Sequence, residues 1–195
     1  MYFIKTSLGI ILVSLSFTSG SFQINKSRLA GSSFTDIRDG NNYSIARLTN
    51  RLVWMTENLK YDSEGSNCEN NKPQNCIKYG RLYTRSESKI ACPNGWRLPT
   101  KDEFQELFDR HGSGSTAFEA LKIGGASGFR AKLFGYWQGR KPIDSGKYGF
   151  YWASEDYYAG GWALMLESIN GRKNARLERT QSDTDEFSCR CVREY

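Results

Sequence analysis

Apolar and polar positions alternate in steps of two near both ends of this chain and recur in steps of three and four only in the middle. In TDIRDGNNYSIARLTNRLVWMTENL, residues 35–59, the strand-type residues Tyr43, Ile45, Val53 and Met55 are separated by turn signals. Asp39-Gly40-Asn41 is one such signal and Asn50-Arg51 a second. The spacing changes at Thr84. Thr84-Arg85-Ser86-Glu87 and Thr100-Lys101-Asp102-Glu103 both read as capping boxes. In each, the threonine hydroxyl accepts one orphan N–H and the glutamate reaches back to the cap. The second box opens a helix whose apolar face is Phe104, Leu107, Phe108 and His111. Thr116 to Glu119 forms a weaker third box, with Gly124-Gly125 as the stop.

Beyond Gly128 the alternation returns. GFRAKLFGYWQGR, YGFYWASEDYY, GWALMLES, RKNARLER and EFSCRCVREY are five strand-like pieces. In the third, Trp162, Leu164 and Leu166 alternate with Ala163, Met165 and Glu167, which predicts one well-buried face. KYGRLYT, residues 78–84, reads as a short strand, and residues 60–77 as a polar loop. Strands, then helices, then strands make an α+β chain with antiparallel pairing and two to three short helices, not a repeated βαβ chain.

The first residues add a compartment. Lys5 precedes an apolar run from Leu8 to Phe17, followed by Thr18, Ser19 and Gly20. This predicts a signal peptide over 1–20. The run is shorter than the about 20 residues of a spanning helix. Residues 21–33 have no period and read as a linker, with one domain over 34–195. A secreted or cell-surface location in a bacterial envelope is expected, with no integral membrane span once the leader is removed.

That setting decides how the five cysteines are read. In an exported chain they are disulfides before they are metal ligands. Cys68 and Cys76 bracket a polar loop and form a natural local pair. Cys92 then needs a partner from Cys189 and Cys191. These two are two apart, too far along one strand to bond each other. One takes Cys92 and the other stays a free thiol, available for a disulfide-linked dimer. A metal at Cys-x-Cys would need further ligands, and there is one histidine. No metal and no cofactor is expected.

Net charge is +6. The densest basic run is GRKNARLERT, residues 171–180, with Arg172, Lys173, Arg176 and Arg179. It reads as a solvated strand face, and export argues against nucleic acid as a partner.

Several pieces occur together and in this order in one family: DGNNYSIARLTNRLVWMTENLKY, the Cys68–Cys76 loop, KYGRLYT, ACPNGWRLPTKDEF, YWASE and CRCVREY. The chain from Phe34 to Tyr195 resembles the Fibrobacter succinogenes major paralogous domain. The resemblance implies a C-type-lectin-like fold, in which a helix-associated cysteine is bonded to the final strand. Carried over, that bond joins Cys92 to Cys191 and leaves Cys189 as the odd thiol.

The calcium-binding loops of C-type lectins have no counterpart here. Trp152 to Asp156 shares only a superficial likeness with one of them, and Glu155 and Asp156 there are the oxygen-bearing candidates. No catalytic constellation stands out, and the sole His111 lies near a helix end. The aromatic group after Tyr148 is more suggestive. Tyr157, Tyr158 and Trp162 are the candidate ligand-binding rings, beside Glu155 and Asp156. The expected function is a non-catalytic binding or adhesion module for glycan or protein. A polysaccharide-acting enzyme of the same fold and a structural envelope protein are the alternatives.

Overall fold

The computed structural model describes residues 32–139 and 141–195. The leader and most of the linker lie outside the described residues. Ser33 already belongs to the first strand, one residue before the expected domain start.

Two sheets carry the fold. The first has the order β1-β2-β3-β11, from Ser33–Thr35, Asn42–Arg47, Leu52–Met55 and Val192–Glu194. The second has the order β4-β10-β7-β8-β9, from Leu82–Tyr83, Phe187–Ser188, Tyr148–Tyr157, Gly160–Ile169 and Arg172–Thr180. A small ribbon pairs β5 (Tyr136–Gln138) with β6 (Lys141–Ile143). All named pairings are antiparallel except β10 with β7, which meet in parallel at Ser188 and Tyr151. The α+β reading therefore holds.

Four α-helices are described, one more than the upper expectation: α1 Pro73–Tyr79, α2 Arg85–Ala91, α3 Lys101–His111 and α4 Gly114–Leu121. The unforeseen one is α1, inside the loop read as irregular. It carries proline at its start and buries only Cys76, so it leaves no apolar stripe in the sequence. Both strong capping boxes form. Thr84 Oγ1 accepts from Glu87 N, and Thr100 Oγ1 from Glu103 N at 3.1 Å. The third box does not. Helix α4 starts one turn earlier, after Ser113, and Thr116 lies within it.

Helices α3 and α4 lie against β7, β8 and β9. Phe104, Leu107, Ala117, Phe118 and Leu121 meet Trp54, Phe129, Tyr151, Leu164 and Leu166 there. On the other side, Tyr43, Met55, Leu59, Trp96, Trp152 and Phe187 form a second core around Cys189 and Cys191. Strand β8 separates the two. Its residues Ala163 to Leu166 are all buried, so it has two buried faces where alternation suggested one.

The last segment stitches the sheets together. EFSCRCVREY is two strands, β10 and β11, in different sheets. Between them the chain hands Leu59 N to the Cys189 carbonyl at 2.9 Å and Met55 N to that of Cys191 at 3.0 Å. Cys68–Cys76 and Cys92–Cys191 are both bonded. Cys189 is the free cysteine and is fully buried, and burial pushes its thiol up well above the usual range. An intermolecular bond needs an accessible thiolate, so the structure gives the disulfide-linked dimer no support.

Candidate functional site

Strand β7 breaks register near its end. Trp152 pairs with Ala163 and Asp156 with Gly161, so Ala153, Ser154 and Glu155 stand opposite Trp162 alone. Such a bulge frees carbonyls from the ladder. A buried arginine, Arg85 of α2, collects them: Nη1 donates to Ala153 O at 2.7 Å and Nη2 to Ser154 O at 2.6 Å. A side chain on Gly161 would collide with that guanidinium, a Cβ there lying 2.9 Å from Arg85 Nε. Gly160 and Gly161 both lie at the start of β8. Close approach is what requires them.

The two candidate acids are used up by this arrangement. Glu155 accepts from the backbone N of Lys101, the first residue of α3, at 2.8 Å, where an acid complements the helix dipole. Asp156 accepts from Lys89 Nζ and Arg85 Nε, both at 2.9 Å. Those hydrogen bonds hold its carboxyl below the usual carboxylate range. Among the described residues no three of His, Cys, Asp and Glu converge as a metal site would require.

The three candidate rings do come together. Tyr157 and Gly160 close the β7–β8 hairpin, with Tyr158 at its tip at φ +52° and 78% exposed. Tyr157 meets Tyr158 edge-on, centroids 4.8 Å apart, and Trp162 at 6.3 Å. Trp162 continues the row Leu166–Leu164, packs against the same core at its edge and is half-buried.

Sequence reasoning left out the fourth member, Arg179. It lies directly across from Trp162 on β9. Its guanidinium carbon sits 4.8 Å from the Tyr157 ring centre and 5.4 Å from that of Trp162. The signal was present in Asn170-Gly171, both at positive φ, a two-residue hairpin turn that fixes the β8–β9 register. Counting back from that turn sets residue 179 against residue 162. Lys101 Nζ lies 5.9 Å from the Trp162 ring.

Comparison with known proteins agrees with the order of motifs. The sequence profile described as the Fibrobacter succinogenes major domain matches residues 49–193. The chain belongs to this family. No curated protein and no solved structure matches it. The family match spans α1 to α4 and every strand of the second sheet, so the aromatic corner and the bulge lie inside the matched domain.

One other perturbed group was not singled out from sequence. Glu186 is buried, and both its oxygens accept from Asn67 Nδ2, at 3.0 and 2.9 Å. Burial pushes its carboxyl up to about 7, and Glu87 adds repulsion. A carboxyl raised on folding binds its proton better in the folded chain. The resulting stability is complete below the ordinary value near 4.5 and is lost as pH rises through about 7. Unfolding free energy is therefore expected to fall by about 2 kcal/mol more in wild type than in Glu186→Gln between pH 5 and pH 8. Parallel urea titrations of the two proteins check this, and identical pH profiles would contradict it. Among the described residues no helix is long and apolar enough to cross a membrane.

Proposed function

We propose that this domain is an exported, non-catalytic module that binds glycan at the cell surface, on a C-type-lectin-like framework. The framework reading draws support from the Cys92–Cys191 bond, which joins the segment ahead of α3 to the last strand. It also draws on the shared sheet of β1 and β11, which places the two ends of the described chain in one four-stranded sheet, at its opposite edges.

The observation that carries the binding reading is the aromatic corner of Tyr157, Tyr158 and Trp162. Tyr158, exposed at the hairpin tip, offers flat apolar surface to the C–H face of a sugar, with the half-buried Tyr157 and Trp162 beside it and the phenol and indole polar atoms left for hydroxyls. The bulge and Arg85 hold the hairpin from behind, so little ordering is required on binding. The neighbouring acids are already engaged by Lys101, Arg85 and Lys89, so the proposed binding is independent of calcium.

A glycan array probed with and without calcium tests this. Binding unchanged by chelation is expected, with Tyr158→Ala and Trp162→Ala each weakening it by about tenfold, the equivalent of one lost stacking contact. Binding that survives both substitutions would move the site elsewhere. Release of reducing sugar from a bound polymer would replace the module with an enzyme. Capture of a protein and no glycan would make the corner a protein contact.

A further inference from the structure

We infer that the sugar recognised at this corner is acidic, a uronate or sulfated residue whose anion is met by Arg179. The inference rests on the glycan reading above and names the ligand class for the same site.

The basic run of β9 does not act as a uniform strip. Lys173 is paired with Glu119 at 2.7 Å, and Arg176 with Glu167 at 3.0 Å and Glu178 at 2.8 Å. These charges are largely met by their own neighbours. Arg179 is held differently. The faces of Tyr157 and Trp162 position its guanidinium, and among the described residues no carboxylate lies within ion-pair distance of it. The two ring planes differ by 66°, so the rings flank the guanidinium and cannot both lie flat on its plane. The five N–H donors lie in that plane and point outward. The described side-chain use of them is a single long hydrogen bond, Nη1 to Tyr157 Oη at 3.4 Å.

Four acids at this end of the sheet are committed elsewhere. Glu155 caps α3, Asp156 is clamped by Arg85 and Lys89, Glu178 faces Arg176, and Asp102 pairs with Lys101. An oriented guanidinium fork without its own anion is suited to a carboxylate or sulfate, which it can grip through two parallel hydrogen bonds. Tyr158, exposed and edge-on to the Tyr157 ring that flanks Arg179, supplies a stacking ring for the same sugar. A neutral glycan would leave this fork with water alone.

The test measures binding of the full chain to polygalacturonate, alginate and a sulfated glycan, against xylan as the neutral polymer. Two variants of β9 are compared. Arg179→Gln removes the fork, while Arg172→Gln removes a charge seven residues away, about 23 Å along the strand. A preference for an acidic polymer of about tenfold or more is expected, abolished by Arg179→Gln and kept by Arg172→Gln. Arg179→Lys, with charge but no fork, is expected to fall between wild type and Arg179→Gln. Equal binding of xylan and the acidic polymers, unchanged by Arg179→Gln, would overturn the inference and leave the glycan reading standing. Equal losses from the two β9 variants would also overturn it, since diffuse charge would then be the cause. Binding to none of these polymers would overturn the inference, and a blank glycan array beside it would remove the glycan reading as well.

Discussion

Replacing Cys92 and Cys191 together by serine is expected to cost about 4–5 kcal/mol of folding stability. The bond closes a stretch with a sequence separation of 99 residues. In the chain-entropy account, the reduced unfolded chain regains the freedom that this closure denies it. The same account gives about 2.5 kcal/mol for Cys68–Cys76, whose separation is 8. The two bonds therefore make a matched pair of experiments in one molecule. Denaturant unfolding of each double-serine variant is expected to rank the long bond well above the short one. For a chain of this size the long bond is worth about 10–15 °C in melting temperature. The long bond also joins parts of the core that share hydrogen bonds. Val192 exchanges both backbone bonds with Arg97, at 2.9 and 2.8 Å, just ahead of α3. Equal losses from the two variants would show that Cys92–Cys191 does not govern how the last strand meets the helical segment.

Much of this frame is readable because it is written locally. Thr84 and Thr100 announce their helices through residues three positions on, and α3 shows its apolar face within one heptad. The Cys68–Cys76 bond is local for the same reason. What stayed hidden depends on partners far away in sequence. Helix α1 has no stripe because its one buried side chain is a disulfide cysteine. EFSCRCVREY reads as one strand because alternation says nothing about a change of sheet. Nothing local marks Arg85 and Arg190 as buried, since arginine is seldom fully buried and their acceptors lie at least 60 residues off for every backbone carbonyl they hold.

The candidate site divides in the same way. Tyr157, Tyr158 and Trp162 were legible as an aromatic group, and the structure brings them together at a hairpin tip. The acids beside them were legible as residues but not as partners. Their roles follow from the bulge, which no periodicity encodes. Arg179 lay in a run read as a solvated face. Lys173 and Arg176 in that run are paired with carboxylates at the surface, and the cross-strand register that sets Arg179 against Trp162 distinguishes it from them.

Arg190→Ala is expected to destabilise the protein by about 3–5 kcal/mol. Arg190 is fully buried between the two bonded or buried cysteines of the last segment. No carboxylate is bonded to it among the described residues; it is held by oxygens of neutral groups instead. Nε donates to Asn58 Oδ1 at 2.9 Å, Nη2 to Arg130 O at 2.8 Å, and Nη1 to Phe129 O. The ring of Phe129 lies 4.3 Å from the guanidinium carbon and that of Tyr151 at 5.2 Å. Burial pulls its pKa down to about 10, so the group stays charged at neutral pH but at a desolvation cost. Truncation relieves that cost and leaves two buried acceptors unpaired, each worth about 1–3 kcal/mol, and the part-buried Arg130 carbonyl without this donor, with a cavity beside two aromatic rings. The orphaned acceptors dominate, because Asn58 Oδ1 and the Phe129 carbonyl are buried away from water. Arg190→Lys separates charge from geometry. A single ammonium cannot span three acceptors on two segments, so the lysine variant is expected to recover less than half the loss. Urea denaturation of the three proteins at pH 7 decides it. A lysine variant as stable as wild type would mean that the charge itself, and not the fork joining residues 58, 129 and 130, holds the carboxyl-terminal segment between the sheets.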